Sequence, residues 1–243
     1  MSSAFLGIGH GGRDPGAIAN GLQEADINLV VGLATRSELL RHGVEVGISR
    51  ISNEDDPLSD EIAEANSFKP DIAVEIHTNA GGGDGFEVYA QTNRFAAQSR
   101  AIALSIEKEV KAFGQNSRGI KTRQNSTGAD YFGWLRQVNC PAVLCEGAFI
   151  DTTDRYIIDT VPEQQALGVT YAKGILAYLG IQWMPPGTGE PDNGDRIAEL
   201  EVEVKKLKEA LSIENALRQE AERELTEIRT KIETFVAELT TAI

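Results

Sequence analysis

Two stretches decide the reading of this chain: Ala4-Phe5-Leu6-Gly7-Ile8-Gly9-His10-Gly11-Gly12-Arg13-Asp14-Pro15-Gly16, and Asp71-Ile72-Ala73-Val74-Glu75-Ile76-His77-Thr78-Asn79. Each opens with an apolar, strand-like run that leads to a histidine, and the chain has only three histidines. In an open α/β sheet, ligands and chemistry collect at the carboxyl ends of the strands. Imidazole is a versatile metal ligand, so two strand-end histidines predict a metal site. His42 reads differently. In Leu39-Leu40-Arg41-His42-Gly43 it closes a helix before a glycine C-cap, where it complements the helix dipole.

Working outward, apolar strands alternate with amphipathic helices. A helix over residues 25–41 places Ile27, Val30, Val31, Ala34 and Leu39 towards one side. Strands follow at 44–49, 71–76, 86–89 and 142–146, with helices at 58–68, 94–113 and 161–179. Alternating β and α elements with near-continuous apolar strands predict an α/β fold, its mostly parallel sheet covered by helices on both faces. Gly7-Ile8-Gly9-His10-Gly11-Gly12 formally satisfies a dinucleotide fingerprint. That motif requires a helix to open at once, and Arg13-Asp14-Pro15-Gly16 prevents it.

A hydrolytic zinc site needs three protein ligands and an open position. His10 and His77 supply two, and Glu24, in Asn20-Gly21-Leu22-Gln23-Glu24, is the candidate third, folding back from the loop before the first helix. Glu146 ends the buried run Ala142-Val143-Leu144-Cys145. A carboxylate there is costly unless paired or put to use, and it suits the transfer of a proton from water to a leaving amine. Glu75, two residues before His77, shares that residue's face of the strand and reads as a partner to it or as an ion-pair residue. Asn79 and Arg136 are candidate substrate contacts.

At 243 residues the chain holds one medium domain plus an appendage. A net charge of −14 argues against nucleic acid, which needs a basic face. No apolar run approaches the ~20 residues of a membrane span, and no basic segment leads into a long apolar one at the N-terminus. The expectation is cytoplasmic synthesis without a signal peptide. Cys140 and Cys145 bracket a strand; extended residues five apart lie about 17 Å from each other. Both are therefore expected as buried, reduced thiols.

Three segments follow from composition: a catalytic body at 1–181, a Pro/Gly-rich linker at 182–194 and a helical tail at 195–243. The tail lacks proline and glycine. Leu200, Val204, Leu207, Leu211, Ala221, Leu225, Ile228, Ile232, Phe235 and Leu239 fall at alternating three- and four-residue steps, the seam of a coiled coil. Glu214 and Arg218 interrupt the seam, while Ile213 and Leu217 offer a shifted stripe.

Four blocks in order carry a resemblance. Gly9 to Ala17 (G-H-G-G-R-D-P-G-A), Asn20 to Glu24, Ile76-His77-Thr78-Asn79, and Pro141 to Ile150 resemble motifs of the zinc-dependent N-acetylmuramoyl-L-alanine amidases of the type-3 family. The resemblance covers about 4–181 and leaves out the tail. It implies a twisted, mainly parallel sheet flanked by helices, with one zinc ion per chain on His10, Glu24 and His77. It further implies Glu146 as the catalytic carboxylate and bacterial peptidoglycan as substrate, cut between muramic acid and L-alanine. Glu75 stands where many members have serine, and Thr78 where alanine is common.

With no leader read at the N-terminus, the role implied is that of a phage or prophage endolysin reaching the wall through a holin pore, or of an autolysin freed by lysis. The alternatives are a non-catalytic wall-binding or assembly protein on the same fold, and a zinc amidohydrolase acting on a soluble amide. The tail is predicted to make the chain a homo-oligomer through residues 195–243, since its stripe cannot stay exposed to water. Light scattering should give the full chain a multiple of its monomer mass, and a chain ending at Ile181 the monomer mass; equal monomer masses would refute this.

Overall fold

Strands packed on both faces have no polar side, and the near-continuous apolar runs accordingly form the centre of one sheet. The computed structural model describes residues 1–187 and 228–229. In chain order the elements are β1 (Ser3–Ile8), β2 (Ile18–Ala19), β3 (Leu22–Gln23), α1 (Glu24–Arg41), β4 (Glu45–Ile48), α2 (Leu58–Phe68), β5 (Ile72–Asn79) and β6 (Phe86–Ala90). Then come α3 (Ala96–Phe113), β7 (Ser117–Lys121), α4 (Gly133–Gln137), β8 (Ala142–Phe149), a 3-10 turn (Thr153–Ile157) and α5 (Val161–Tyr178).

The strand order is β4-β1-β5-β8-β6-β7. β4, β1, β5 and β8 run parallel, β6 is antiparallel to β8, and β7 is parallel to β6. The mainly parallel α/β sheet read from the sequence is therefore present. β7 and α4 were not predicted. β7, Ser-Arg-Gly-Ile-Lys, is a half-exposed edge without an apolar run, and α4 has five residues, too few to show a helical period.

The two faces differ. On one, α1, α3 and α5 bury Leu6, Ile8, Val74, Ile76, Val143 and Cys145. On the other, α2 and α4 bring Ile62, Ala65, Trp134 and Leu135 onto Phe5, Ala73, Ala142 and Leu144. Register fixes which residues share this second face. Phe5 lies beside Ala73 and Ala73 beside Ala142; two residues on, Gly7 lies beside Glu75 and Glu75 beside Leu144; two further, His77 lies beside Glu146, and Glu146 beside Glu87. The carboxyl end of this face thus changes from apolar to acidic along three strands at once.

α1 starts one residue earlier than expected, so Glu24 is its first residue and not a loop residue. Its buried stripe includes Asn28 and Thr35 alongside Ile27, Val31 and Leu39. Both polar groups are satisfied: Thr35 donates to the Gly168 carbonyl at 3.0 Å, and Asn28 Nδ2 to the Gly9 carbonyl at 3.0 Å. His42 is the C-cap residue of α1, as expected. Cys140 and Cys145 are buried and free, and burial pushes the Cys140 thiol up to about 12.

The compact unit runs from Met1 to Trp183, two residues past position 181. The Trp183 indole donates to Glu38 at 3.0 Å, and Lys173 Nζ lies 4.0 Å from its ring centroid, so these first linker residues pack on the body. The linker beyond 187 and the coiled-coil seam lie outside the described residues, apart from 228 and 229.

Arg50 ties the site's framework together. Only 2 % exposed, it donates to the carbonyls of Ile8, Gly9, Ala25 and Ser52, joining the end of β1, the start of α1 and the segment after β4. Removing the guanidinium takes a donor from buried carbonyls, at about 1–3 kcal/mol for one left without any; the Gly9 carbonyl keeps Asn28, and Ser52 is exposed to water. Arg50→Met should therefore lower unfolding stability by about 1–3 kcal/mol, read from the midpoint of urea denaturation. An unchanged midpoint would show that water replaces it at little cost.

Candidate functional site

Three side chains meet at the carboxyl end of the sheet. His10 follows β1, His77 lies near the end of β5, and Glu24 opens α1. Glu24 Oε1 is 3.3 Å from His10 Nε2 and 3.0 Å from His77 Nδ1. The donor atoms of all three lie within 4.8 Å of one another. The structure thus brings together the three residues predicted as ligands.

The loop before α1 aims Glu24. Its Oε1 accepts from the Thr78 N–H at 3.2 Å and its Oε2 from the Ala17 N–H at 3.0 Å. Thr78 Oγ1 donates to Asn28 Oδ1 at 2.8 Å, which ties the end of β5 to α1. His10 has φ +65, in the left-handed region that non-glycine residues rarely occupy. Asp14 holds its ring there, with Oδ2 at 2.9 Å from Nδ1.

Each histidine therefore turns one nitrogen to Glu24 and the other to a second carboxylate. For His10 this is Asp14; for His77 it is Glu75, with Oε1 at 3.2 Å from Nε2. Carboxylates behind metal-binding imidazoles fix the tautomer and raise ligand basicity. Glu75, read from the sequence as a partner of His77, holds that place.

The site's charges favour a bound cation. Burial pushes the Glu24 carboxyl up, but hydrogen bonds from His10 and His77 outweigh it and hold the group well below the usual carboxylate range. Burial drives the His77 imidazole down, yet Glu24 and Glu75 raise it well above its ordinary value. His10 is raised too, chiefly by its hydrogen bond to Glu24. Such a field invites positive charge, supplied either by protons on the rings or by a metal ion that displaces them. The spacing also fits. Tetrahedral ligands about 2.0–2.1 Å from one ion lie about 3.3 Å apart, close to the separations Glu24 makes with both rings.

Glu146 stands beside His77 in the β5–β8 register. Burial pushes its carboxyl up to about 7, with the positive His77 pulling the other way. Among the described residues no hydrogen bond holds it. Asn79 ends β5, its side chain accepting from the Ala80 N–H at 2.8 Å. Arg136 Nη1 donates to the carbonyls of Asp130 and Tyr131 at 2.7 and 2.9 Å, bracing the loop before α4.

Sequence reading missed the clearance that seats these groups. A Cβ on Gly9 would lie 2.2 Å from His77 Cε1, and one on Gly7 would lie 2.3 Å from Glu75 Oε2. The side chains of β5 lean across β1, and only glycines there leave room. The repeated Gly-x-Gly was the available signal. Its meaning is steric, and it has nothing to do with phosphate.

With this geometry in hand, comparison with known proteins gives a consistent result. Residues 5–177 match the family described as N-acetylmuramoyl-L-alanine amidase. The chain is 37 % identical over 179 residues to a sporulation-specific N-acetylmuramoyl-L-alanine amidase of Bacillus subtilis, covering 72 % of this chain and 67 % of that protein. It is 35 % identical over 188 residues to the endolysin of Bacillus phage SPP1, covering 73 % of this chain and 66 % of the relative. Among solved structures, Cwp6 from Clostridium difficile aligns with TM-score 0.70 at 32 % identity, over 73 % of this chain and 29 % of that one. The catalytic domain of the N-acetylmuramoyl-L-alanine amidase CwlV from Bacillus (Paenibacillus) polymyxa aligns with TM-score 0.66 at 26 % identity, over 75 % of this chain and all of that one. The chain belongs to the N-acetylmuramoyl-L-alanine amidase family.

Gly9→Ala should push the His77 ring out of place and weaken binding of a divalent metal ion by at least about tenfold, the lower end for disturbed support of a metal ligand. Equilibrium dialysis against zinc would measure it. Unchanged affinity would mean that the ring does not need the clearance.

Proposed function

We propose that this chain hydrolyses the amide joining N-acetylmuramic acid to L-alanine in bacterial peptidoglycan, with one zinc ion held by His10 Nε2, Glu24 Oε1 and His77 Nδ1. The convergence of those three atoms beside Glu146 carries the reading, and family membership supports it. A zinc ion there supplies Lewis acidity, polarising the amide carbonyl and easing loss of a proton from the attacking water.

The chain's own residues do the rest. Asp14 and Glu75 hold the outer nitrogens of the two histidines, so that the inner ones face the site unprotonated. Glu146 takes the proton of the attacking water as the C–O bond forms. It then delivers that proton to the alanine nitrogen as the C–N bond breaks, leaving muramic carboxylate and a free amine. A carboxyl raised to about 7 suits both halves of the transfer, being strong enough as a base and as an acid near neutral pH. Asn79, beside His77, is the nearer of the two proposed substrate contacts in sequence; Arg136 acts through the loop it braces.

Retention of His10, Glu24, His77 and Glu146 argues against a purely binding or assembly role. Release of muramic carboxylate and N-terminal alanine from purified walls separates the wall amidase from an enzyme of a soluble amide. We favour lysis of bacterial walls as the biological role, with likeness to a phage endolysin as its support. Likeness to a sporulation-specific amidase supports an autolysin instead. Among the described residues, no helix is long and apolar enough to cross a membrane. Avidity from a self-associated tail would help an acidic chain stay on an anionic wall.

The purified chain should carry one zinc ion by mass spectrometry and lose it on His10→Ala or His77→Ala, but not on His42→Ala. Glu146→Gln should keep the zinc and lose about 10²- to 10⁴-fold in rate. The base form of Glu146 is present above its pKa and lost as pH falls. kcat/KM should therefore decline on the acid side with an apparent pKa at or below about 7, since a bound cation pulls the carboxyl down. Near-normal turnover by Glu146→Gln would remove it from the mechanism.

A further inference from the structure

A cavity of about 570 Å³ runs from His10 and His77 along the sheet face to Trp134. Leu58, Phe132 and Leu144 give it an apolar wall; Arg13, Asp14, Asp55 and Asp56 stand on its other side, and Glu61 from α2 and Glu75 from β5 also line it. These two carboxylates are 3 % and 2 % exposed. Glu75 Oε1 is engaged with His77. Glu75 Oε2 and Glu61 Oε1 are buried and have no hydrogen-bond partner among the described residues.

The two free oxygens converge. A Cβ on Gly7 would sit 2.3 Å from Glu75 Oε2 and 2.7 Å from Glu61 Oε1. Burying carboxylate oxygens without donors is expensive, and burial beside Glu75 raises the Glu61 carboxyl well above its usual range, so such a pair favours a cationic occupant. The chain does not provide it. Arg50 is committed to backbone carbonyls, and Arg13, at the cavity rim, is paired with Asp55 at 2.7 Å. A further unpartnered polar atom, the buried Nε1 of Trp134, belongs to a residue that lines the same cavity and offers a donor to an acceptor on the same occupant.

The wall chemistry selects among cations. A hard metal ion wants six or more oxygen ligands. Among the described residues, the one cluster of three metal-competent side chains is His10, Glu24 and His77. An aliphatic stem ending in an ammonium matches the wall of Leu58, Phe132 and Leu144 beside two acceptors, and a neighbouring peptide carbonyl matches the Trp134 N–H.

We propose that this cavity is a subsite for a primary ammonium on an aliphatic stem, namely the side chain of the diamino acid in the stem peptide, with Glu61 and Glu75 accepting its N–H donors. This rests on the amidase reading. Glu75 thereby links recognition to the metal centre, one oxygen bonding the His77 ring and the other the substrate's amine. Glu61 is the specificity residue, since it touches no ligand of the metal.

The test uses the full chain and three synthetic muramoyl peptides that differ only at the lysine side chain: free amine, Nε-monomethyl and Nε-acetyl. kcat/KM should fall about 10- to 100-fold on acetylation, the worth of a charge-assisted hydrogen bond, and stay near the parent value on methylation, which keeps the charge. Glu61→Gln should shrink the acetylation penalty. Equal cleavage of all three by the unaltered chain would overturn the subsite and leave the amidase reading standing. Cleavage of none would overturn both. A Glu61→Gln variant that keeps the full penalty would remove Glu61 from recognition; should that variant fail to fold, the comparison on the unaltered chain still decides.

Discussion

A carboxylate buried at the first turn of a helix must be met by donors on every side, and Glu24 is met by four. Backbone N–H groups of Ala17 and Thr78 and the rings of His10 and His77 all converge on it. These donors come from the loop after β1 and the end of β5. The charge therefore fixes the relative positions of elements more than fifty residues apart. Burial penalises an ionised group severely when it is alone. The same burial makes the paired arrangement specific, because a packing that removed these donors would leave the charge unpaired.

The sheet supports this by dividing its labour. The face against α1, α3 and α5 is apolar and continuous, and it supplies the burial that stabilises the domain. The face against α2 and α4 is apolar only at its amino end. Towards the carboxyl end it becomes Gly7, Glu75, Gly9, His77 and Glu146, with Glu87 beyond. Glu87 is itself held below the usual carboxylate range: burial raises it, but Lys121 and Arg118 pair with it and prevail. Glu146 has no such partner, and its carboxyl rises. Neighbouring carboxylates on paired strands are thus set apart by their partners, one an ion-paired anion and one a carboxyl raised towards neutrality.

Glu75 is the least ordinary feature of the site. At this position the chain carries a second buried carboxylate, and Glu61 opposes it from α2. Gly7 is the accommodation on the neighbouring strand, for nothing larger fits beneath the two oxygens. A glycine, two glutamates and a histidine on three elements thus pack as one unit, with Glu75 the member that contacts His77.

Much of this was legible in the sequence, since it depends on local pattern. The apolar runs marked the central strands, the periodic stripes marked the long helices, and two histidines at equivalent strand ends marked the site. Glu24 and Glu146 followed from what a hydrolytic centre needs and from the cost of a carboxylate at a buried strand end. The edge strand β7 and the short α4 were not legible, because five polar or mixed residues carry no usable period. Nor was the reversed direction of β6, which depends on which strand edge remains open. Only the tertiary structure decided that Asp14 stands behind the His10 ring, that Glu61 reaches Glu75 from another element, and that Gly7 and Gly9 clear the space above β1. The sequence by itself determined the inventory of elements and reactive groups, because periodicity and residue chemistry are local. Which groups face one another is a matter of register, strand order and steric clearance between distant segments, and those are fixed only when the sheet is assembled.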